Sequence, residues 1–289
     1  MKAERILDLV MTLGEGPMYD EQADTLHWVD IVEGRLWQHD LGSKRSRHTA
    51  MGESVGLVVP HKKGGLVAAL KDSLVHLKGA QNTLLAGDVD AEHPGNRFND
   101  GKCDAKGRLL CGTMHGQGEK GKGSLYVLEE GRPLRRLVKD VSISNGIGFS
   151  LDNRYMYYVD TPTGFLWRFE YDLATGEVAN RVPLIDYRDE RGDFDGLCVD
   201  SEGCIWAAHW GGYQVSRWDP ETGQKIGQVE VPAPFVTSCC FGGPELDRLY
   251  ITTASGWDKA LKQEYPLSGA LFAAAPGVRG LPVQRFGIA

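Results

Sequence analysis

The chain has 289 residues, of which 42% are apolar and 25% charged, and its 32 Lys and Arg against 39 Asp and Glu give a formal net charge of −7. This mildly acidic balance offers no broad attraction for nucleic acid or anionic lipid, so neither is expected as a partner. No run approaches the roughly 18 apolar residues that a membrane span requires, and residues 1–5 are charged without a following apolar segment of signal-peptide length. We therefore expect a cytoplasmic protein.

Six short apolar runs recur along the chain. In order they are LHWVD (26–30), LVAAL (66–70), LLCGT (109–113), MYYVD (156–160), IWAAH (205–209) and LYITT (249–253). Their first residues lie 40, 43, 47, 49 and 44 positions apart. A period in this range, with several strands in each unit, is typical of propeller blades.

Each repeat has the composition of an antiparallel meander. Turn dipeptides such as Gly64-Gly65 and Glu202-Gly203 precede most of the runs, and a second strand-like segment follows most of them, as in SLYVL (124–128). We predict an all-β chain that forms a single six-bladed β-propeller domain over residues 1–289, with a metal site in its central channel. A linear β-solenoid is the alternative, although its repeats are usually shorter. The seven tryptophans fall mostly in strand positions and are expected to pack between blades.

The innermost strand of each blade should precede the aligned run by 9 to 11 residues. That offset selects Glu15, Val55-Gly56, Asn99-Asp100, Asn145, Asp195 and Ser238-Cys239. Four of the six positions carry a carboxylate or carboxamide, and several are followed by a glycine that would let a ligand or a neighbouring backbone approach closely.

Equivalent positions of a radial repeat must converge where the repeats meet. Oxygen ligands such as Glu15, Asn145 and Asp195 suit hard or borderline divalent cations. The alternative is that these side chains only stabilise turns. Four polar residues in one register favour the metal site, which we expect to hold one ion of Ca²⁺, Zn²⁺, Mn²⁺ or Fe²⁺.

Cysteine spacing and known catalytic motifs narrow the possible chemistry. The six cysteines include no C-x-x-C pair and lie mainly in strand-like stretches, so buried free thiols are expected. The sequence contains no nucleophile elbow, zincin helix, phosphate-binding loop or dinucleotide fingerprint. His115 and His209 could line the channel mouth, although a lone histidine near a strand end is more often a satisfied polar residue. Trp210, followed by two glycines, could stack on a sugar.

At these same positions the chain resembles the senescence marker protein and gluconolactonase family. The most specific segments are LGEGP (13–17), NRFNDGK (96–102), GTM (112–114), ISNG (143–146), DG (195–196) and TSCCFGG (237–243). The resemblance implies a six-bladed propeller in which the residues matching Glu15, Asn145 and Asp195 hold one metal. It also implies that Arg97 and Asn99 contact the substrate and that Asp195 acts as the general base. We place Asp100 with the substrate-binding residues.

The sequence departs from the family pattern three residues after Met114. Vertebrate members carry a substrate-contacting Glu there, whereas this chain has Gln117. Glu119 could replace it from a shifted loop, and His115 lies at the start of the same segment. Residues 115–123 (HGQGEKGKG) have a flexible composition and are interpreted as a specificity lid.

These residues predict a metal-dependent hydrolase acting on a sugar lactone, such as a glucono-, xylono- or arabinono-lactone. A divalent ion with open coordination positions polarises a carbonyl and activates water, and Arg97 can donate paired hydrogen bonds to the sugar. The alternatives are an esterase or phosphotriesterase on the same fold and a non-enzymatic calcium-binding regulatory propeller. We expect a monomer or a weak homodimer.

Overall fold

The computed structural model describes residues 1–256 and 259–288, in which six four-stranded antiparallel sheets form the blades of a β-propeller. Five blades use consecutive strands. The first blade contains β2 (Gly14–Asp20), β3 (Thr25–Asp30), β4 (Arg35–Asp40) and β5 (Arg45–Ala50), and the second contains β6 (Leu57–Pro60), β7 (Leu66–Ala69), β8 (Leu74–Lys78) and β9 (Gln81–Ala86). The third contains β10 (Asn96–Cys103), β11 (Leu109–His115), β12 (Gly123–Leu128) and β13 (Arg135–Val141), and the fourth contains β14 (Ser144–Phe149), β15 (Tyr155–Asp160), β16 (Phe165–Asp172) and β17 (Glu177–Asp186). The fifth contains β18 (Asp193–Val199), β19 (Ile205–Trp210), β20 (Gln214–Asp219) and β21 (Gln224–Glu230). Each predicted apolar run is the second strand of its blade.

The sixth blade closes the ring with strands from both ends of the chain. It contains β22 (Val236–Gly242), β23 (Arg248–Thr253), β24 (Leu271–Ala274) and β1 (Glu4–Leu7). Strand β1 is antiparallel to β24, with Glu4 opposite Ala273 and Arg5 opposite Phe272. Closure through the N-terminal segment satisfies backbone groups that two open sheet edges would expose. The order of strands therefore matches that of a six-bladed propeller.

The hydrophobic core lies between neighbouring blades. In the second and third blades, for example, Leu57, Phe98 and Cys111 belong to one buried cluster. The inner strands approach closely where they carry glycine: a Cβ on Gly56 would lie 2.6 Å from the carbonyl oxygen of Phe98. Any larger residue there would force adjacent blades apart.

Residues 275–288, which we call the C-terminal strap, run across one end of the channel and contact several blades in turn. The amide of Gly280 donates to the carbonyl of Leu246 (2.7 Å), that of Phe286 to Pro60 (2.8 Å) and that of Gly287 to Gly107 (2.9 Å). The Phe286 side chain is fully buried. The strap joins the sixth, second and third blades, an arrangement absent from the sequence prediction.

Helices are short in the described part of the chain. A 3₁₀ turn spans Thr161–Thr163 and the helix α1 spans Lys259–Glu264. Across the described ranges, no helix combines the length and the apolar character needed to cross a membrane. All six cysteines are free, as predicted. Trp257, grouped above with the tryptophans expected between blades, lies outside the described residues.

Candidate metal centre

The candidate site residues lie at irregularities in the inner strands. The pairing register shifts between Phe98 and Gly101 in β10, and comparable shifts begin at Ser144 in β14 and at Phe194 in β18. These shifts place Asn99-Asp100, Asn145-Gly146 and Asp195-Gly196 outside the regular ladder. A bulge bends its strand and redirects a side chain. The bulges thus turn polar side chains of three blades toward the channel.

Glycine allows two of these bulges to meet. A Cβ on Gly146 would lie 2.7 Å from the carbonyl oxygen of Asp195, closer than real Cβ contacts occur. The glycine after Asn145 therefore lets the fourth and fifth blades come together beside the site, the close backbone approach expected from the sequence.

Amide hydrogen bonds connect the third, fourth and fifth blades. Asn99 Nδ2 donates to Asn145 Oδ1 and to the carbonyl of Ser144, both at 2.9 Å. Asn145 Nδ2 donates to Thr161 Oγ1 at 2.8 Å, and Thr161 in turn donates to the carbonyl of Phe194 at 2.9 Å. The Asn145 amide is thereby held with its oxygen toward Asn99. Thr161 was missed in the sequence, where it was one threonine among many.

Three carboxyl groups share the site: those of Glu15 and Asp195 are buried, and that of Asp100 is partly buried. Burial raises the pKa of Glu15, and the negative charge of Asp100 raises it further. The pKa of Asp195 is raised well above its ordinary value by burial and by the charges of Glu15 and Asp100. Burial also raises the pKa of Asp100, while the charge of Lys102 opposes that effect. These effects show that Glu15, Asp100 and Asp195 repel one another in a desolvated space.

Arg97 provides a positive charge at this cluster. Its Nη1 donates to Asn99 Oδ1 at 2.6 Å and to the carbonyl of Phe98 at 3.0 Å. Burial lowers the pKa of the guanidinium to about 10, although the charges of Glu15 and Asp195 favour its protonated form. Arg97 is therefore oriented by Asn99 and held within electrostatic range of the carboxylates.

The arrangement fits a divalent cation. If Glu15, Asp100 and Asp195 were all ionised beside the Arg97 guanidinium, the net charge would be −2 in a desolvated space, which is costly without a counter-ion. The raised pKa values of Glu15 and Asp195 mean that the metal-free site keeps protons at neutral pH, and a divalent cation would replace those protons. Within residues 1–256 and 259–288, no group of three or more His, Cys, Asp or Glu side chains could hold a metal. The proposed set of ligands has only two such side chains, Glu15 and Asp195. Its third ligand is the amide oxygen of Asn145, which suits hard cations.

The remaining predicted substrate residues lie in the third blade, His115 at the end of β11 and Glu119 on the loop that follows it. His115 Nδ1 is 3.8 Å from Glu119 Oε1, and the Glu119 side chain is 58% exposed. Gln117 is exposed as well. The structure thus brings together Glu15, Arg97, Asn99, Asp100, Asn145 and Asp195. It places His115, at the end of β11, beside Glu119 on the following loop, and within the described residues no hydrogen bond or ion pair joins either of them to that cluster.

Two side chains that the sequence analysis placed near the mouth have other partners. His209 is fully buried; Nδ1 lies 2.8 Å from the carbonyl of Arg191 and Nε2 lies 2.6 Å from Ser216 Oγ. Burial lowers its pKa to about 4. His209 is therefore a satisfied polar residue, the favoured of the two interpretations of the sequence, because both ring nitrogens are used inside the fifth blade. Trp210 packs on Phe235 with ring centroids 4.6 Å apart.

A family model for the SMP-30/gluconolactonase/LRE-like region matches residues 13–255, which include every member of the site cluster. The chain belongs to this family. Regucalcin of Xenopus laevis is 35% identical over 99% of this chain and 98% of its own length. YvrE of Bacillus subtilis, which is named provisionally as a sugar lactone lactonase, is 37% identical over 92% of both chains.

The solved structures include a relative of the same shape. The crystal structure of a calcium-binding protein, regucalcin, from Agrobacterium tumefaciens superposes with a TM-score of 0.91 at 34% identity and covers 98% of this chain and 97% of that one. Membership in a gluconolactonase family supports lactone hydrolysis at a general level. The Agrobacterium tumefaciens relative is described as calcium-binding, which suggests a divalent metal ion in this family.

Proposed function

We propose that the protein hydrolyses a sugar lactone to its aldonic acid, with one divalent ion held by Glu15, Asn145 and Asp195. The observation that carries the proposal is the convergence of these side chains with Arg97 and Asn99 at one end of the channel. The bound ion would supply Lewis acidity toward the lactone carbonyl. Ca²⁺, Zn²⁺, Mn²⁺ and Fe²⁺ are all compatible with this set of ligands.

The chain's own residues divide the remaining work. Asp195 would accept a proton from the attacking water, because burial beside Glu15 makes its carboxylate a stronger base than an exposed one. Water oxygen bonds to the carbonyl carbon, the ring C–O bond breaks, and the departing oxygen takes up a proton to become a hydroxyl group. Arg97, oriented by Asn99, would donate hydrogen bonds to substrate oxygens that gain charge.

In this proposal, residues 115–123 control the access of the substrate to the metal site and the choice of substrate. His115 and Glu119 lie there as substrate-binding residues, and Asp100 would complete the polar lining from the third blade. We further propose a single domain that acts in the cytoplasm as a monomer or weak homodimer, on a small-molecule substrate rather than on nucleic acid or a membrane.

The direct test combines metal removal with a substrate panel. Hydrolysis of glucono-, xylono- and arabinono-lactones should disappear after exhaustive chelation and return when a divalent ion is added. Asn145→Ala should lower metal content and activity, whereas the exposed Asn82→Ala, in β9, should change neither. Full activity of the protein with metal content shown to be negligible would overturn the mechanism.

The same panel separates the rival functions. Preference for aryl esters or organophosphates over lactones would identify the esterase or phosphotriesterase alternative. Tight calcium binding without hydrolysis of any member would favour a regulatory role for this chain; the regucalcin of Agrobacterium tumefaciens is described as a calcium-binding protein.

A further inference from the structure

The channel widens on the far side of the carboxylate cluster into a chamber of about 320 Å³. This lower chamber has walls that are mostly apolar, formed by side chains that include Leu57, Val59, Phe149, Val199 and Phe241. Asp100 borders it at one end, and residues 281–284 of the C-terminal strap border it at the other. The volume lies at the lower end of the range for small-molecule sites.

Lys102 crosses this space. It begins in β10 of the third blade, and its Nζ donates to the carbonyl of Leu197 in β18 of the fifth blade at 2.7 Å. An ammonium group has three hydrogens to donate. In the described ranges, no carboxylate oxygen lies within 4.0 Å of Lys102 Nζ, and Lys102 is the one basic side chain in the chamber lining. Among the described residues, the bond to Leu197 is the one hydrogen bond of Lys102 Nζ, so two donors of this half-buried ammonium have no protein acceptor.

A charge in such surroundings favours an anionic partner. Removing an ammonium from bulk water is costly unless an opposite charge or several acceptors compensate. The mostly apolar walls offer few hydrogen-bond acceptors to the ammonium group. A hydrocarbon chain packed against these walls would remove apolar surface from water, which is favourable. We propose that the lower chamber binds a small organic monoanion, with its anionic group at Lys102 and its apolar body against the inner strands.

The size and charge of the ligand follow from the chamber. At about 30 Å³ for each water-sized group, 320 Å³ accommodates about ten such groups. Asp100 and Lys102 both line the chamber, and the charge of Lys102 acts on the Asp100 carboxyl group. This carboxyl group disfavours a second negative charge, which selects a monoanion over a dianion. If Lys102 served only to link the third and fifth blades, that role would explain its hydrogen bond to Leu197 but not its two unused donors.

Octanoate is a suitable probe, since it has about ten non-hydrogen atoms and a single carboxylate. Calorimetric titration of the chelated protein should give a dissociation constant of about 1 mM or tighter. Lys102→Gln keeps a donor for Leu197 but removes the charge, and should weaken octanoate binding about tenfold or more. Lys106→Gln, at an exposed position nearby, should leave binding unchanged. Octanol should bind more weakly than octanoate and should not discriminate between wild type and Lys102→Gln.

A second measurement locates the probe in the wild-type protein and does not depend on any variant folding. With methyl-labelled methionine, octanoate should shift the NMR signal of Met18, which lines the chamber. The signal of Met114, opposite Arg97 in the third blade, should stay in place. A shift of Met114 without Met18 would put octanoate at the metal site and overturn the proposal. So would the absence of binding at 10 mM octanoate, or equal affinity of wild type and folded Lys102→Gln. Because the titration uses chelated protein and no lactone, its result is independent of the proposed hydrolysis.

Discussion

The carboxylate cluster should make the metal-free protein lose stability as pH rises. Glu15 has a pKa of about 8 in the folded chain against an ordinary value of 4.5. A group whose pKa is raised by folding stabilises the protein below the unfolded value, and that contribution is lost as pH rises through the folded value. The loss therefore spans pH 4.5 to about 8. Asp195, whose pKa is also raised, acts in the same direction.

The magnitude is measurable in a narrow window. At about 1.4 kcal/mol for each tenfold change in proton affinity, Glu15 alone should reduce the free energy of unfolding by about 2 kcal/mol between pH 6.5 and pH 8.5. For a chain of this length, that corresponds to roughly 4 °C in Tm. The buried His27 and His209 do not contribute to the change in this window. Because folding lowers their pKa values to about 4, they reduce the free energy of unfolding only as pH falls below about 6.5.

Scanning calorimetry of the chelated protein checks this expectation. Glu15→Gln resembles the protonated carboxyl, so it should flatten the slope and unfold at a higher temperature than wild type at pH 8.5. The exposed Glu4→Gln should keep the wild-type slope. A divalent ion should stabilise wild type more strongly as pH rises, because its ligands must be deprotonated. A metal-free wild type whose Tm is constant or rising across the window would refute the reasoning, and so would Glu15→Gln with an unchanged slope.

Three further outcomes are expected. Asp195→Asn, assayed at saturating metal, should lose about 10²–10⁴-fold in kcat; wild-type kcat would transfer the role of base to another group, with His115 or Glu119 next to test. Arg97→Ala should raise KM for an aldonolactone while metal content, measured by elemental analysis, stays near wild type; loss of the metal would show that Arg97 acts through the ligands. Phe286→Ala should cost about 3–5 kcal/mol in urea unfolding, because it removes a buried ring packed 5.5 Å from that of His61, whereas the exposed Leu281→Ala should cost little.

Radial repetition explains why so much of the site could be predicted. A fixed offset from six apolar runs selected Glu15, Asn99, Asn145 and Asp195, and each lies buried near the start of an inner strand. No knowledge of blade contacts was needed, since equivalent positions of a closed ring must face one axis. The roles assigned to these residues remain proposals, as do those of His115 and Glu119.

Features that depend on contacts outside the repeat escaped prediction. The C-terminal strap has no repeat equivalent, and its course follows from where Phe286 finds a buried partner in the second blade. The sequence left two roles open for His209 for a similar reason. A histidine at a strand end is compatible with a channel mouth or with an interior hydrogen bond, and only the position of Ser216 on the neighbouring strand decides between them.

The second blade shows what turns a repeat position into a ligand position. Its inner strand β6 pairs with β7 in an unbroken register, and the equivalent residues Val55-Gly56 carry no polar side chain. In the first, third, fourth and fifth blades, the pairing shifts at the polar residue or directly after it, and in the sixth blade it shifts between Val236 and Ser238. A bulge leaves backbone groups unpaired and is retained where it redirects a useful side chain. Five of the six inner strands therefore shift, and four of those shifts accompany Glu15, Asn99, Asn145 or Asp195. This coincidence of a shift with a carboxylate or carboxamide favours a functional site over turn stabilisation, because a turn residue would not require the ladder to be broken within a blade.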